Sequence, residues 1–198
     1  MYAFPRWLRP VVALLLALAC ATPALAAGRL VAGGNEPAPP LALRDLDGNE
    51  VRLDAFKGRT VVVNFWATWC APCVAEMPSL NRLRAALARS GVEVLGVNLQ
   101  ESAARIRPFA ERLALEFPIV RDHDGAVTRA WGARVFPTTY VVGPDQRIAL
   151  VAVGDIEWDS ADVLSRVREV ARRPGALPPG TRAETFPTPF PRSALWIA

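Results

Sequence analysis

The chain has 198 residues, 52% of them hydrophobic, enough to bury the core of one compact domain and too apolar for disorder throughout. Formal net charge is +4, and setting aside Arg6 and Arg9 near the N-terminus leaves about +2, with the remaining basic residues interspersed among Asp and Glu. Without a basic helix or block, this balance argues against a nucleic-acid ligand.

Residues 1–26 have the form of a signal peptide: Arg6 and Arg9, an apolar run over 11–19, and the small-x-small triplet Ala24-Leu25-Ala26, which predicts cleavage after Ala26. The run falls short of the roughly 20 residues that span a bilayer, although extending it to Ala27 across Pro23 gives a marginal span, so an uncleaved anchor is the alternative. Either outcome places the rest of the chain outside the cytoplasm. Cys20 follows Leu18-Ala19 in an order that fits a lipoprotein motif poorly and reads as an apolar leader residue. Cleavage leaves two cysteines, Cys70 and Cys73.

Residues 27–36 read as a linker. Short strands over 41–46 and 51–53, joined by Asp47-Gly48-Asn49, read as a hairpin. Lys57-Gly58 turns into Thr60–Trp66, a β-branched run typical of a strand buried on both faces. From Cys73, apolar residues recur every three or four positions through Val74, Met77, Leu80, Leu83 and Leu87, the mark of an amphipathic helix ended at Ser90-Gly91. A strand over Val92–Leu99 and a helix over 103–115, bent or restarted at Pro108, come next. A short strand over 117–120, a turn around His123 and a short helix through Trp131 lead to Pro137. Strands over Thr138–Val142 and 147–153 and a helix over 160–172 close a single domain over 37–173. Alternating strands and helices followed by an antiparallel pair give an α/β fold, a central mixed sheet with helices on both faces. The Pro-rich segment 174–198 reads as an extended or disordered tail.

Chemistry concentrates in Phe65-Trp66-Ala67-Thr68-Trp69-Cys70-Ala71-Pro72-Cys73. Two cysteines separated by two residues at a helix start lie one turn apart, within reach of a disulfide. At the first turn, unpaired N–H groups and the helix dipole favour a thiolate at Cys70, which makes it the attacking sulfur and leaves the deeper Cys73 to resolve the mixed disulfide. Pro72 sets the backbone of that turn. Glu76, one turn beyond Cys73, reads either as a proton acceptor tuned by burial or as an early helical Glu favoured by the dipole. Trp66 and Trp69 flank the pair. No second cysteine pair is present and His123 is the only histidine, so structural zinc is not expected. No cofactor or metal is implied.

The segment from Phe65 to Cys73 with Glu76 and Pro78, joined to Phe136-Pro137-Thr138-Thr139 about sixty residues later, resembles the TlpA/ResA/DsbE family of bacterial thioredoxin-like proteins. The resemblance spans roughly residues 37–172. It implies a thioredoxin-like fold with an N-terminal β-hairpin and a mid-domain insertion near 101–118. It further implies an active-site acid at Glu76, a helix-bending proline at Pro78 and a cis-proline at Pro137. Trp69, Pro72 and Phe136 would then border the substrate groove, and Phe136 is a bulky residue at that place. Family members generally face the periplasm, free or tethered to the inner membrane, and reduce oxidised proteins such as apocytochrome c or copper-site cysteines. Their electrons come from a membrane donor resembling CcdA or DsbD. The same cysteines would also serve a disulfide oxidase or isomerase, a copper-binding metallochaperone or a peroxiredoxin-like peroxidase. Trp69 immediately before Cys70 and a second cysteine so soon after it count against the last.

Overall fold

A computed structural model describes residues 28–174. The predicted leader and the Pro-rich tail lie outside the described residues. The strands are β1 (Arg29–Ala32), β2 (Ala42–Asp45), β3 (Glu50–Arg52), β4 (Thr60–Trp66), β5 (Val92–Leu99), β6 (Ile119–Asp122), β7 (Thr138–Val142) and β8 (Ile148–Val153). The helices are α1 (Ala71–Leu87), α2 (Ala103–Arg112), α3 (Ala126–Ala130) and α4 (Ala161–Val170). All eight strands form one sheet in the order β1-β8-β7-β4-β5-β6-β2-β3. Strands β4, β5 and β6 run parallel and the other pairings are antiparallel, the mixed sheet of a thioredoxin-like fold.

Strand β4 lies at the centre because every one of its seven residues is buried. Its side chains alternate between two cores. Val62 and Trp66 join Met77, Leu80, Leu83 and Leu87 of α1 and Val163 and Val167 of α4 on one face, while Val61, Val63 and Phe65 meet Leu53, Phe56 and Trp131 on the other. Each fully buried side chain of this size contributes about 1.5–3 kcal/mol, so the strand that leads into the Cys70 loop is firmly anchored on both faces. Gly96 on β5 allows a close approach, since a Cβ there would lie 3.2 Å from Trp66 Nε1 and from Phe117.

The hairpin β2–β3 adds to the sheet at β6, and α2 occupies the insertion between β5 and β6. Helix α2 runs through Pro108 without restarting and ends at Arg112, three residues before the expected limit. Strand β6 begins two residues late and extends to Asp122, whose buried carboxylate accepts from Thr128 N at 2.7 Å at the start of α3. Residues 29–32, read as linker, instead form β1 along β8. Strand pairing draws on backbone groups, so an open edge on β8 recruited a segment whose composition did not announce a strand.

Candidate active site

The loop from Trp66 to α1 is closed by backbone bonds and capped by sulfur. Cys70 N donates to Ala67 O at 3.2 Å, and Cys70, in extended conformation, is the N-cap of α1. Its Sγ accepts from Cys73 N at 3.3 Å, so an otherwise unpaired helix N–H points at the sulfur. Cys70 and Cys73 are joined in a disulfide with Cα atoms 5.3 Å apart. Cys70 retains 6% exposure and Cys73 none, the asymmetry expected of an attacking and a resolving sulfur. Pro72 lies in the first turn and is exposed.

Glu76 is buried at 4% exposure and held from three sides. Asn64 Nδ2 of β4 donates to Oε1 at 2.7 Å, while Trp158 Nε1 and Ile156 N donate to Oε2 at 3.1 and 3.3 Å. Burial outweighs these donors and pushes the carboxyl up from 4.5 to about 7, with the charge of Asp155 acting in the same sense. Such a group changes protonation near neutrality, the property required of a proton acceptor working at that pH.

The Phe136–Pro137 peptide is cis. Pro137 is buried, and Phe136 meets the 62%-exposed Trp69 edge to face with centroids 6.1 Å apart. Residues flanking Cys70 and Pro137, distant in sequence, therefore meet across one surface. Val135, 56% exposed, extends it.

A second carboxylate braces the loop and has no sequence signature. Glu101 accepts from Thr68 N at 2.7 Å, from the Thr68 hydroxyl, and from Asn98 Nδ2 at 2.8 Å, and Arg105 lies 3.7 Å away. Asn64, Trp158 and Glu101 are the residues that the sequence reading missed. Asn64 carried the only available signal, an amide in the middle of a buried strand that is otherwise apolar beyond Thr60. His123 lies exposed in its turn, outside the site. Among the described residues no cluster of His, Cys, Asp and Glu is arranged to hold a metal ion, and no helix is long and apolar enough to cross a membrane.

A model of the AhpC/TSA family matches residues 35–151. The chain is 41% identical over 117 residues to the thiol-disulfide oxidoreductase ResA of Geobacillus thermodenitrificans, covering 59% of this chain and 67% of that protein. To the ResA of Bacillus subtilis it is 33% identical over 146 residues, covering 71% of this chain and 82% of the other. Among solved structures, a secreted thiol-disulfide isomerase from Corynebacterium glutamicum matches with a TM-score of 0.65 at 26% identity, over 77% of this chain and 96% of that one.

Proposed function

The chain belongs to the TlpA/ResA/DsbE-like family of thioredoxin-fold thiol-disulfide oxidoreductases, and from that premise we propose that it is an exported reductant of protein disulfides. The observation that carries the proposal is the Cys70–Cys73 disulfide at the N-cap of α1, with Cys70 Sγ facing a helix N–H. That environment favours a thiolate on the more accessible sulfur.

In the reduced protein, Cys70 Sγ attacks one sulfur of the client disulfide. The client S–S bond breaks, a Cys70–client disulfide forms, and the client's other sulfur departs as a thiolate that takes up a proton. Glu76 accepts the proton of Cys73, and the Cys73 thiolate attacks Cys70 Sγ. The Cys70–client bond breaks as the Cys70–Cys73 disulfide closes, and the client's second sulfur leaves as a thiolate that takes the proton held by Glu76, freeing the client as a dithiol. Two electrons have passed to the client, and a membrane dithiol donor of the CcdA or DsbD kind returns them by the same exchange in reverse. The client strand lies along Pro137, bordered by Trp69, Pro72 and Phe136. The expected clients are oxidised periplasmic proteins, including the haem-binding cysteines of apocytochrome c and copper-site cysteines.

Equilibration of the Cys70/Cys73 couple with glutathione or dithiothreitol buffers at pH 7 tests the direction. A potential below about -220 mV supports a reductant, whereas a value near the roughly -120 mV of a strong oxidant overturns it in favour of disulfide formation.

A further inference from the structure

The segment that follows β8 touches two parts of the site. Gly154 N donates to Pro137 O at 2.9 Å. Ile156 N and Trp158 Nε1 then both donate to Glu76 Oε2. Trp158 is fully buried, and its backbone N donates at 3.1 Å to the hydroxyl of Ser79, which itself donates to Glu76 O at 2.7 Å. Outside the core, Arg82 of α1 pairs with Glu157 and Asp159 on either side of Trp158. The indole is thus fixed at three levels. A buried indole does not always find a partner in this chain, since Trp66 Nε1 and Trp131 Nε1 have no hydrogen bond. Trp158 alone of the three donates its N–H, and it donates to the buried Glu76 carboxylate of the disulfide helix.

We propose that Trp158 is a positioning residue for the exchange reaction, holding the Glu76 carboxylate as proton acceptor through its indole N–H and tying that carboxylate to the strand of Pro137 through the segment Gly154–Trp158. The inference rests on the reading of Glu76 as the acceptor. Of the charged and titratable groups around Glu76, Asp155 acts from the same segment as Trp158 and opposes ionisation. Helix α1 supplies Cys73, which titrates once the disulfide opens. Strands β4 and β7 supply Asn64 and Thr139, which carry no charge. Arg82, Glu157 and Asp159 pair among themselves at the rim.

A donor to the charged form favours it, so losing the indole N–H moves ionisation to higher pH. The test is the pH dependence of single-turnover reduction of oxidised glutathione by the reduced full chain, compared with Trp158→Phe and Glu76→Gln. The inflection of the unmodified protein should move up by about one pH unit in Trp158→Phe, with the rate deficit near neutrality recovered at alkaline pH. Attack by a thiolate is itself pH-dependent, so only the inflection owed to Glu76 should vanish in Glu76→Gln. A Glu76 inflection left unmoved in Trp158→Phe overturns the role of Trp158 and leaves Glu76 standing. A pH profile of Glu76→Gln identical to that of the unmodified protein overturns the reading of Glu76 and the inference with it. Should Trp158→Phe fail to fold, the indole N–H resonance of Trp158 in the unmodified protein decides. It should titrate with the same inflection, and a position that stays constant between about pH 5 and pH 9 overturns the proposal.

Discussion

Asn64 Nδ2 donates to Glu76 Oε1 at 2.7 Å, and the same amide donates to Thr139 Oγ1 at 2.8 Å, so one buried side chain links β4, α1 and β7 behind the disulfide. Both amide protons are engaged, while the buried Oδ1 has no partner. Replacing Asn64 with Ala strips a donor from a buried carboxylate and another from a buried hydroxyl. The expected cost is about 1–3 kcal/mol, read by urea denaturation, together with a Glu76 ionisation displaced to still higher pH. Unchanged stability would mean that water replaces the amide.

Much of the scaffold was legible because its signals are local. Thr60–Trp66, Val92–Leu99 and Thr138–Val142 were predicted residue for residue from β-branched apolar runs, and α1 from its three-and-four spacing. The Cys70/Cys73 pair is local in the same sense. What escaped depends on contacts over long sequence separations. Strand β1 exists because β8 has an open edge, β6 runs on to Asp122 because that residue pairs with Leu99 of β5, and Trp158 reaches Glu76 across 82 residues. No periodicity encodes such partners.

Stability should fall as pH rises toward neutrality. The folded Glu76 holds its proton up to about pH 7, against 4.5 for an unburied carboxyl. Between those values the folded state binds more protons than the unfolded state. The stabilisation is therefore fully present below about pH 4.5 and is lost as pH passes through 7. The loss attributable to this group is roughly 3 kcal/mol for the oxidised protein. Denaturation curves at a series of pH values should show this slope in the unmodified chain and lose it in Glu76→Gln. A parallel slope in both would assign it to other groups.

The unequal burial of the two sulfurs predicts which variant traps a client. Cys73→Ser retains the attacking Cys70 but cannot resolve, so it should accumulate a mixed disulfide visible on non-reducing gels and by intact mass. Cys70→Ser should accumulate none, because the remaining thiol is fully buried. Trapping by Cys70→Ser instead would reverse the assigned roles.

Glu101 fixes the approach to Cys70 through Thr68, accepting from both its N–H and its hydroxyl. In Glu101→Ala, Thr68 N and Asn98 Nδ2 lose their acceptor together. The expected loss is about 1–3 kcal/mol in denaturant unfolding. Amide exchange at Thr68 should quicken by more than that at Val62, which sits in the middle of β4 away from the loop. A uniform change across the strand would indicate global destabilisation in place of a freed loop.

Trp69, exposed beside Phe136, gives the clearest separation of client binding from fold. Trp69 is 62% exposed and meets Phe136 edge to face, so removing it forfeits little buried area and about 0.5–1.5 kcal/mol of pair energy. An exposed aromatic beside a reactive sulfur offers a large apolar surface to a client at small ordering cost. Trp69→Ala should therefore raise KM for a disulfide peptide several-fold while leaving unfolding within about 1.5 kcal/mol of the unmodified chain. Phe136→Ala should raise KM similarly for peptides with an apolar residue next to the target cysteine, and less for glutathione, which has no such side chain to place there. Equal effects on both substrates would mean that Phe136 shapes the disulfide environment itself and not a client groove. A parallel shift in reduction potential would confirm that second outcome, because client contacts cannot alter the Cys70/Cys73 equilibrium of the free protein.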